Sequence, residues 1–335
     1  RLGFVDELFY RDQIQNHLVE LMEEDKFDDL NFISHSRYKR VKNENARDKF
    51  KKDKIAVIYA QGEIKSGEGK ETVIGSERIS KAIRKARLDE KVKAIVLRVN
   101  SPGGSALASD VIWREMSLAK DEKPVVVSMG DVAASGGYYI ACDADKIYAS
   151  PSTITGSIGV FGIMMNLEEL YTDKLGLTFD QVKTNKFADL GSNNRPLSEE
   201  EYAIIHQSVV EVYETFTSKV ANGRKMTQES VDAIGQGRVW SGSNAMDINL
   251  IDAFGGLEEA IKGAAELAEM DEYRLFELPE LKAPLEQLLE ELETGFSASI
   301  MKYTLGDEYK HYKAINDMKH LKGIQVRMPY QFTID

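Results

Sequence analysis

The chain has 335 residues, 42% hydrophobic and 29% charged, which suits one large or two modest domains with a sizeable core. Its formal charge of −12 leaves no basic footprint of the kind nucleic acid or an anionic lipid surface demands, so neither is an expected partner. The single cysteine, Cys142, excludes an internal disulfide, no run approaches the ~20 apolar residues of a transmembrane helix, and no signal peptide is recognisable.

In chain order, Leu2-Gly3-Phe4-Val5-Asp6 and the helical pattern after it echo Asn249-Leu250-Ile251-Asp252 and the pattern Leu257 to Met270. The two aspartates are 246 residues apart, which is either one repeat length or a chance match of a few residues. Residues 36–53, rich in Lys, Arg, Asp and Asn, read as a solvated linker. From Lys54 onward, strands and helices alternate. Ile55 to Tyr59 reads as a strand, Gly62 to Gly75 as a glycine loop, and Ile79, Ala82, Ile83 and Ala86 as one face of a helix. Gly67-Glu68-Gly69-Lys70 in the loop lacks the spacing of a phosphate-binding loop. Further strands are expected at 94–99 and 124–128, around a helix bearing Ala108, Val111, Ile112 and Ala119. Continuous apolar strands joined by helices predict an α/β fold, with a largely parallel sheet covered on both faces.

Two glycine corners interrupt this alternation. After the run Ala94 to Val99 comes Asn100-Ser101-Pro102-Gly103-Gly104-Ser105, where Ser105 is placed to cap a helix. Taken alone, Gly103-Gly104 reads as an ordinary strand-to-helix turn. After Pro124 to Ser128, Gly130 and Asp131 break the apolar pattern, and Val132-Ala133-Ala134-Ser135-Gly136-Gly137 leads into a helix-like Tyr138 to Cys142. A serine at such a corner exposes its hydroxyl beside unpaired helix amides, the geometry a nucleophile needs, although tight turns use the same residues. If both corners face one pocket, one offers the nucleophile and the other a donor for the oxyanion, an interaction worth about 10²–10³ in rate.

Downstream, Lys146 to Ala149 reads as a strand, Ser150 to Thr153 as a turn, and Ser157 in Thr155 to Val160 as part of a capped glycine turn. Met164 and Met165 are expected in the core or along a substrate pocket, Leu167 to Leu175 as a helix, and Thr178 to Lys183 as a strand. Ser198 to Glu201 forms a capping box that opens a long helix striped by Ile205, Val209, Val212, Phe216 and Val220. His206 on that helix reads as a surface or packed residue, and Cys142 as core. No histidine lies between His35 and His206, so a Ser-His dyad would need a base from outside the core unit. Leu285, Leu288, Leu289 and Leu292 stripe a short acidic helix, and Tyr303, Tyr309, Tyr312 and Tyr330 suggest a docking tail.

The Asn-Ser-Pro-Gly-Gly-Ser corner, the Ser128 to Tyr139 run and Thr155-Gly156-Ser157-Ile158-Gly159-Val160 together resemble signal peptide peptidase A, the protease IV family, over about residues 54 to 270. That resemblance implies a crotonase-like, Clp protease-like fold of repeated ββα units. It also implies a serine peptidase acting through a Ser-Lys dyad on remnant signal peptides, with no cofactor and no metal. The nucleophile then falls on Ser135, the serine that orients the lysine on Ser157, and the oxyanion donors on the amides of Gly103, Gly104 and Gly136.

The base is where this sequence departs from the shorter family members, because their lysine column here holds Ala188. Lys186, two residues earlier, is the one in-chain substitute. Longer members carry the serine and the lysine on separate repeats, and this chain resembles their serine-bearing repeat. The implied layout is residues 1–35 as the tail of the preceding repeat, 36–53 as linker, 54–272 as the protease domain and 273–335 as a helical extension. The implied lysine then comes from the N-terminal repeat, outside this chain. The resemblance further implies a homo-oligomer, a tetramer, on the extracytoplasmic face of the bacterial inner membrane, anchored through a segment outside this chain. Two rivals share the fold: a crotonase-type acyl-CoA hydratase or hydrolase, whose glycine-corner amides would hold a thioester enolate, and a non-catalytic scaffold that has lost its lysine.

Overall fold

Alternation between the two faces of a strand decides how this chain builds its layers, and its central strands carry apolar residues on both. The computed structural model describes residues 11–34 (except 24, 26, 28, 29 and 31), 53–280 and 324–327. It divides into two units, 1–50 and 51–335. The first contributes one described helix, α1 (Arg11–Leu21).

In the second unit the strands are β1 (Lys54–Gln61), β2 (Ile64–Lys65), β3 (Ile74–Gly75), β4 (Val92–Ser101), β5 (Gly103–Ser105), β6 (Val125–Ala134), β7 (Lys146–Ala149), β8 (Ile154–Gly156), β9 (Phe161–Gly162), β10 (Val239–Ser241), β11 (Ala253–Phe254), β12 (Arg274–Leu278) and β13 (Ile324–Arg327). The helices between them are α2 (Ser76–Leu88), α3 (Ala106–Lys120), α4 (Gly136–Tyr139), α5 (Glu199–Arg224), α6 (Gln228–Ile234), α7 (Gly242–Asp247) and α8 (Leu257–Leu267).

The main sheet runs β10-β8-β6-β4-β1-β12, with β7 on β6 and β11 on β7, and among these pairings only β10 with β8 is antiparallel. Ile55, Val57, Ala94, Val96 and Val126 face Ala260, Ile261 and Ala264 of α8. The alternate residues Ala56, Ile58, Ile95, Leu97 and Val127 face the larger core with Ile79, Ile83, Ile112 and Met116 of α2 and α3. Burial of this kind stabilises by roughly 25 cal/mol per Å² of apolar surface. A second, smaller sheet, β3-β2-β5-β13-β9, lies at the carboxyl ends of the main strands.

Several expectations need correction. β6 does not stop at Ser128 but continues through Gly130 and Asp131 to Ala134, because its first half pairs with β7 and its second half with β8. Side chains stitch this change of partner: Val132 donates its amide to Asn100 Oδ1 at 3.1 Å, and Thr153 and Thr155 donate hydroxyls to the carbonyls of Gly130 and Ala133. The helix after Ser135 is one turn, ending at Tyr139. Val111 on α3 is exposed rather than core.

Thr178 to Lys183 forms no strand. It finds no sheet edge among the described residues, and Val182 is 99% exposed. The helix expected at 167–175 is present over 168–174, with Leu170–Lys174 wound as a π-helix. Met164 and Met165 are exposed, not core. Within 273–335, expected to be helical, both described stretches are strands: β12 pairs with β1 in parallel and β13 joins the small sheet. The leucine stripe at 285–292 and Tyr303, Tyr309, Tyr312 and Tyr330 lie outside the described residues, as does most of 36–53.

Candidate active site

The two glycine corners meet. A β-carbon on Gly103 would stand 2.8 Å from the Gly136 amide nitrogen, and one on Gly136 would stand 3.2 Å from Gly103 Cα. Gly103 has φ +99°, a conformation that disfavours side chains. The Gly103-Gly104 corner is therefore more than a turn: residues 103–105 form β5, and Ser105 caps α3 by accepting the Ala108 amide. Gly104 must be glycine for another reason, since its β-carbon would collide at 2.1 Å with the Ile64 carbonyl on β2. The Gly103 amide donates to Ser101 Oγ at 3.1 Å, while Gly136 opens α4, where the first amides have no intrahelical acceptor.

Ser135 sits at the junction of β6 and α4 with φ 54° and ψ −114°, a strained backbone for a non-glycine residue. Its amide donates to the Gly156 carbonyl at 2.8 Å, and its hydroxyl donates to the Gly159 carbonyl at 3.4 Å. Ala134 pairs with Gly156 on neighbouring parallel strands, so the next residues, Ser135 and Ser157, leave their strands side by side. Ser157 also has a positive φ, 47°, and its amide donates to the Arg238 carbonyl at 2.7 Å. Two serines thus hold left-handed conformations at adjacent strand ends, the place where α/β sheets present their reactive groups.

Beside them opens a cavity of about 480 Å³, lined by Ser157, Gly159, Val160, Phe161, Tyr213 and Arg327 among others. Its wall is mostly apolar, and Met164 and Met165, expected along a pocket, are not part of it. The hydroxyl of Ser135 is not exposed, as a corner serine was expected to be. The residue has no accessible surface, and β13 lies against the same corner: the Val326 carbonyl occupies the space that a β-carbon on Gly103 or Gly136 would fill, at 2.2 and 2.9 Å. The signal for this strand in the sequence is no more than Ile324-Gln325-Val326, too short to announce its partner.

Lys186 is exposed and paired with Glu200, and its ammonium also lies 5.4 Å from the centre of the Phe187 ring. Ala188 is exposed in a turn. His206 is exposed and stacks with Tyr202, and Cys142 is buried, its thiol pushed up to about 12 by burial. Three side-chain contacts were not anticipated. Arg195 bridges Asp189 and Glu201, which ties the segment before α5 to the start of that helix. Tyr213 donates its hydroxyl to Asp232 at 2.6 Å beside the cavity. Tyr138, buried behind the corner, donates to the Leu250 carbonyl at 2.8 Å and so anchors α4 from below.

Residues 117–271 match the profile of peptidase family S49, and residues 41–155 match that of Clp protease. A putative protease of Synechocystis sp. is 36% identical to this chain, over 65% of the chain and 76% of the relative. The chain belongs to peptidase family S49. Its relatives also include "Serine protease SPPA, chloroplastic" of Arabidopsis thaliana, 36% identical over 97% of this chain and 48% of the relative. "Protease 4" of Salmonella typhi is 47% identical over 66% of this chain and 36% of its own length. This chain thus spans less than half of each of these two. Among solved structures, a mutant ClpP1 of Listeria monocytogenes aligns with a TM-score of 0.42 and 16% identity over 61% of this chain and 94% of that one. The expected Clp-like α/β fold agrees with the Clp protease match and with the parallel sheet described above.

Proposed function

We propose that this chain is the serine-bearing unit of a peptidase in which Ser135 attacks a peptide carbonyl. The observation that carries this reading is the convergence at one point of Ser135, Ser157 and the Gly103 and Gly136 corners. Attack by a serine hydroxyl requires a base to take its proton and donors to hold the oxyanion. The Gly136 amide and the Gly103-Gly104 corner are the proposed donors, and Ser157 is the proposed partner of the base.

A lysine serves as base when burial away from competing carboxylates lets it lose its proton near neutral pH. Lys186, in water and held by Glu200, lacks that setting. The cavity beside Ser157 and Gly159 has room for a side chain from elsewhere, which supports a lysine delivered by a preceding repeat. The helices α1 and α8 support the repeat itself. They end at Leu21 and Leu267, the same 246-residue offset that separates Asp6 from Asp252. On α8 the positions matching Ile14 and Leu18 are Ala260 and Ala264, buried against the sheet, whereas Ile14 on α1 is 46% exposed. We therefore read 1–35 as the tail of one repeat, 36–53 as linker and 54–272 as the body of the next. By the same reading β12 and β13 extend that body beyond 272.

Remnant signal peptides are the proposed substrates, as the resemblance of the sequence motifs implies, and a membrane-associated homo-oligomer is the proposed setting. No described helix of this chain is long and apolar enough to cross a membrane. The test is co-production of residues 1–335 with the upstream half, assayed on a fluorogenic apolar peptide. Hydrolysis that vanishes in Ser135→Ala, together with phosphonate labelling of Ser135, is the expected outcome. Undiminished hydrolysis by Ser135→Ala sinks the reading.

A further inference from the structure

Ser157 needs more than its own strand to hold it. Its φ of 47° is a conformation that costs a non-glycine residue about 1–3 kcal/mol and persists only where neighbours fix it. Those neighbours are residues 235–238. β8 and β10 are antiparallel, with Gly156 opposite Val239, and their pairing runs on past the strand ends: the Ser157 amide donates to the Arg238 carbonyl at 2.7 Å, and the Gly237 amide donates to the Ile158 carbonyl at 2.8 Å. The turn is itself left-handed at Gln236, φ 57°, and at Gly237, φ 78°. Whatever anchors this turn therefore also places Ser157.

Two helices anchor it. The end of α6 is tied to the turn by Arg238, whose Nη1 donates to the Ala233 carbonyl at 2.8 Å, and by Trp240, whose indole donates to the Ile234 carbonyl at 3.0 Å. The other anchor is Tyr213 of α5. Its hydroxyl accepts the Gln236 amide at 3.0 Å and donates to Asp232 Oδ1 at 2.6 Å. One oxygen thus joins α5, α6 and the turn, while Gln236 Nε2 reaches the second Asp232 oxygen at 3.4 Å. A β-carbon on Gly235 would stand 2.9 Å from the Tyr213 hydroxyl, so the approach is close. Tyr213 also lines the cavity that Ser157 and Gly159 line.

We propose that Tyr213 and Asp232 are positioning residues for hydrolysis, acting through the 235–238 turn to fix Ser157 and, through it, the base. This rests on the reading of Ser135 as nucleophile and of Ser157 as partner of the base. The pair acts at one remove, since its hydrogen bonds go to the turn and not to either serine. A general base must stay within hydrogen-bond reach of the proton it takes, and a misplacement of about 1 Å costs about 10²-fold in rate. The phenol suits the task because one hydroxyl accepts the amide and donates to the carboxylate at once, whereas phenylalanine fills the same space and makes neither bond.

The experiment measures kcat and KM on an apolar fluorogenic peptide for variants of residues 1–335, each made together with the upstream half. Tyr213→Phe is expected to lower kcat about 10²-fold and to leave KM nearly unchanged. Asp232→Ala should lower kcat in the same way, and Asp232→Asn, which still accepts the Tyr213 hydroxyl, should recover most of that loss. Because the pair acts through Ser157, Tyr213→Phe should cost little more in a Ser157→Ala background, as residues of one network do in a double-mutant cycle. Full additivity of those two substitutions overturns the proposal. So does a parent-like kcat in Tyr213→Phe, with or without a lower melting temperature, which makes the pair a structural contact only. Should Tyr213→Phe not fold, the two Asp232 variants decide alone, and equal kcat in Asp232→Ala and Asp232→Asn overturns it. Failure of the peptidase reading shows separately, as hydrolysis that survives Ser135→Ala whatever stands at 213.

Discussion

Gly103 carries two constraints at once, a φ of +99° and the approach of both the Val326 carbonyl and the Gly136 amide. Replacement by alanine meets strain worth about 1–3 kcal/mol and pushes the two corners apart. Gly103→Ala is therefore expected to lower stability by that amount in a urea titration and to abolish phosphonate labelling of Ser135. A variant with normal labelling would show that the corners need not touch. Cys142 makes the opposite point, that a reactive residue type can be silenced by its surroundings. With its thiol buried and pushed up to about 12, almost no thiolate exists at pH 8. Ellman's reagent at pH 8 should leave the native protein unmodified and titrate one thiol in guanidinium, and rapid native reaction would contradict the burial. Ser135 and its flanking glycines were legible in the sequence, because a strand-to-helix corner has a local signature. Its burial was not, because the strand that lies against it is nearly two hundred residues away.

At the scale of elements, α5 shows how local chemistry and a longer-range ion pair reinforce each other. Ser198 accepts the Glu201 amide, and the Glu201 carboxylate accepts the Ser198 amide, completing the capping box expected from the sequence. Ser198→Ala should cost about 1 kcal/mol, read as a shift in the urea midpoint. Arg195 adds what the spacing did not reveal, a two-pronged contact with Glu201 and a third with Asp189. Its guanidinium, with help from the Ser198 amide, lowers Glu201 to about 2, and Asp189 is held well below the usual carboxylate range by Arg195 and Lys183. Both carboxyls bind protons less readily folded than unfolded. Their contribution is therefore complete above the unfolded value of about 4 and is lost as pH falls toward 2. The melting temperature should drop between pH 6 and pH 3, and Arg195→Ala should shrink that drop. An equal drop in both proteins would remove the network from the account. The strand expected at 178–183 failed for a related reason: alternation makes a strand only where an edge receives it, and here Leu177, Phe179 and Val182 stay exposed.

For the whole molecule the unit 51–335 holds the sheet, both glycine corners and the cavity, whereas α1 belongs to the separate unit 1–50. If α1 is the last helix of a preceding repeat, its apolar face finds cover only in the longer protein. Ile14→Ala should then leave the melting temperature of residues 1–335 within error, since exposed substitutions cost within about 0.5 kcal/mol. In the protein that includes the upstream half it should cost about 2–5 kcal/mol, as loss of a core aliphatic side chain does. Equal, small effects in both would detach α1 from any repeat.

The sequence by itself determined the elements whose cause is local. These are the continuous apolar runs of β1, β4 and the first half of β6, the caps of α3 and α5, and the serine between small residues, all set by neighbours within a few positions. Tertiary structure alone decided which distant pieces share a surface. The partner change that carries β6 on to Ala134 depends on β7 and β8, the contact of Gly103 with Gly136 depends on β4 and β6 lying in register, and β12 and β13 take their strand form from edges laid down far upstream. Periodicity reports which face a residue turns inward, but not which backbone will meet it. That choice belongs to hydrogen bonds and packing between segments that only the folded chain brings together.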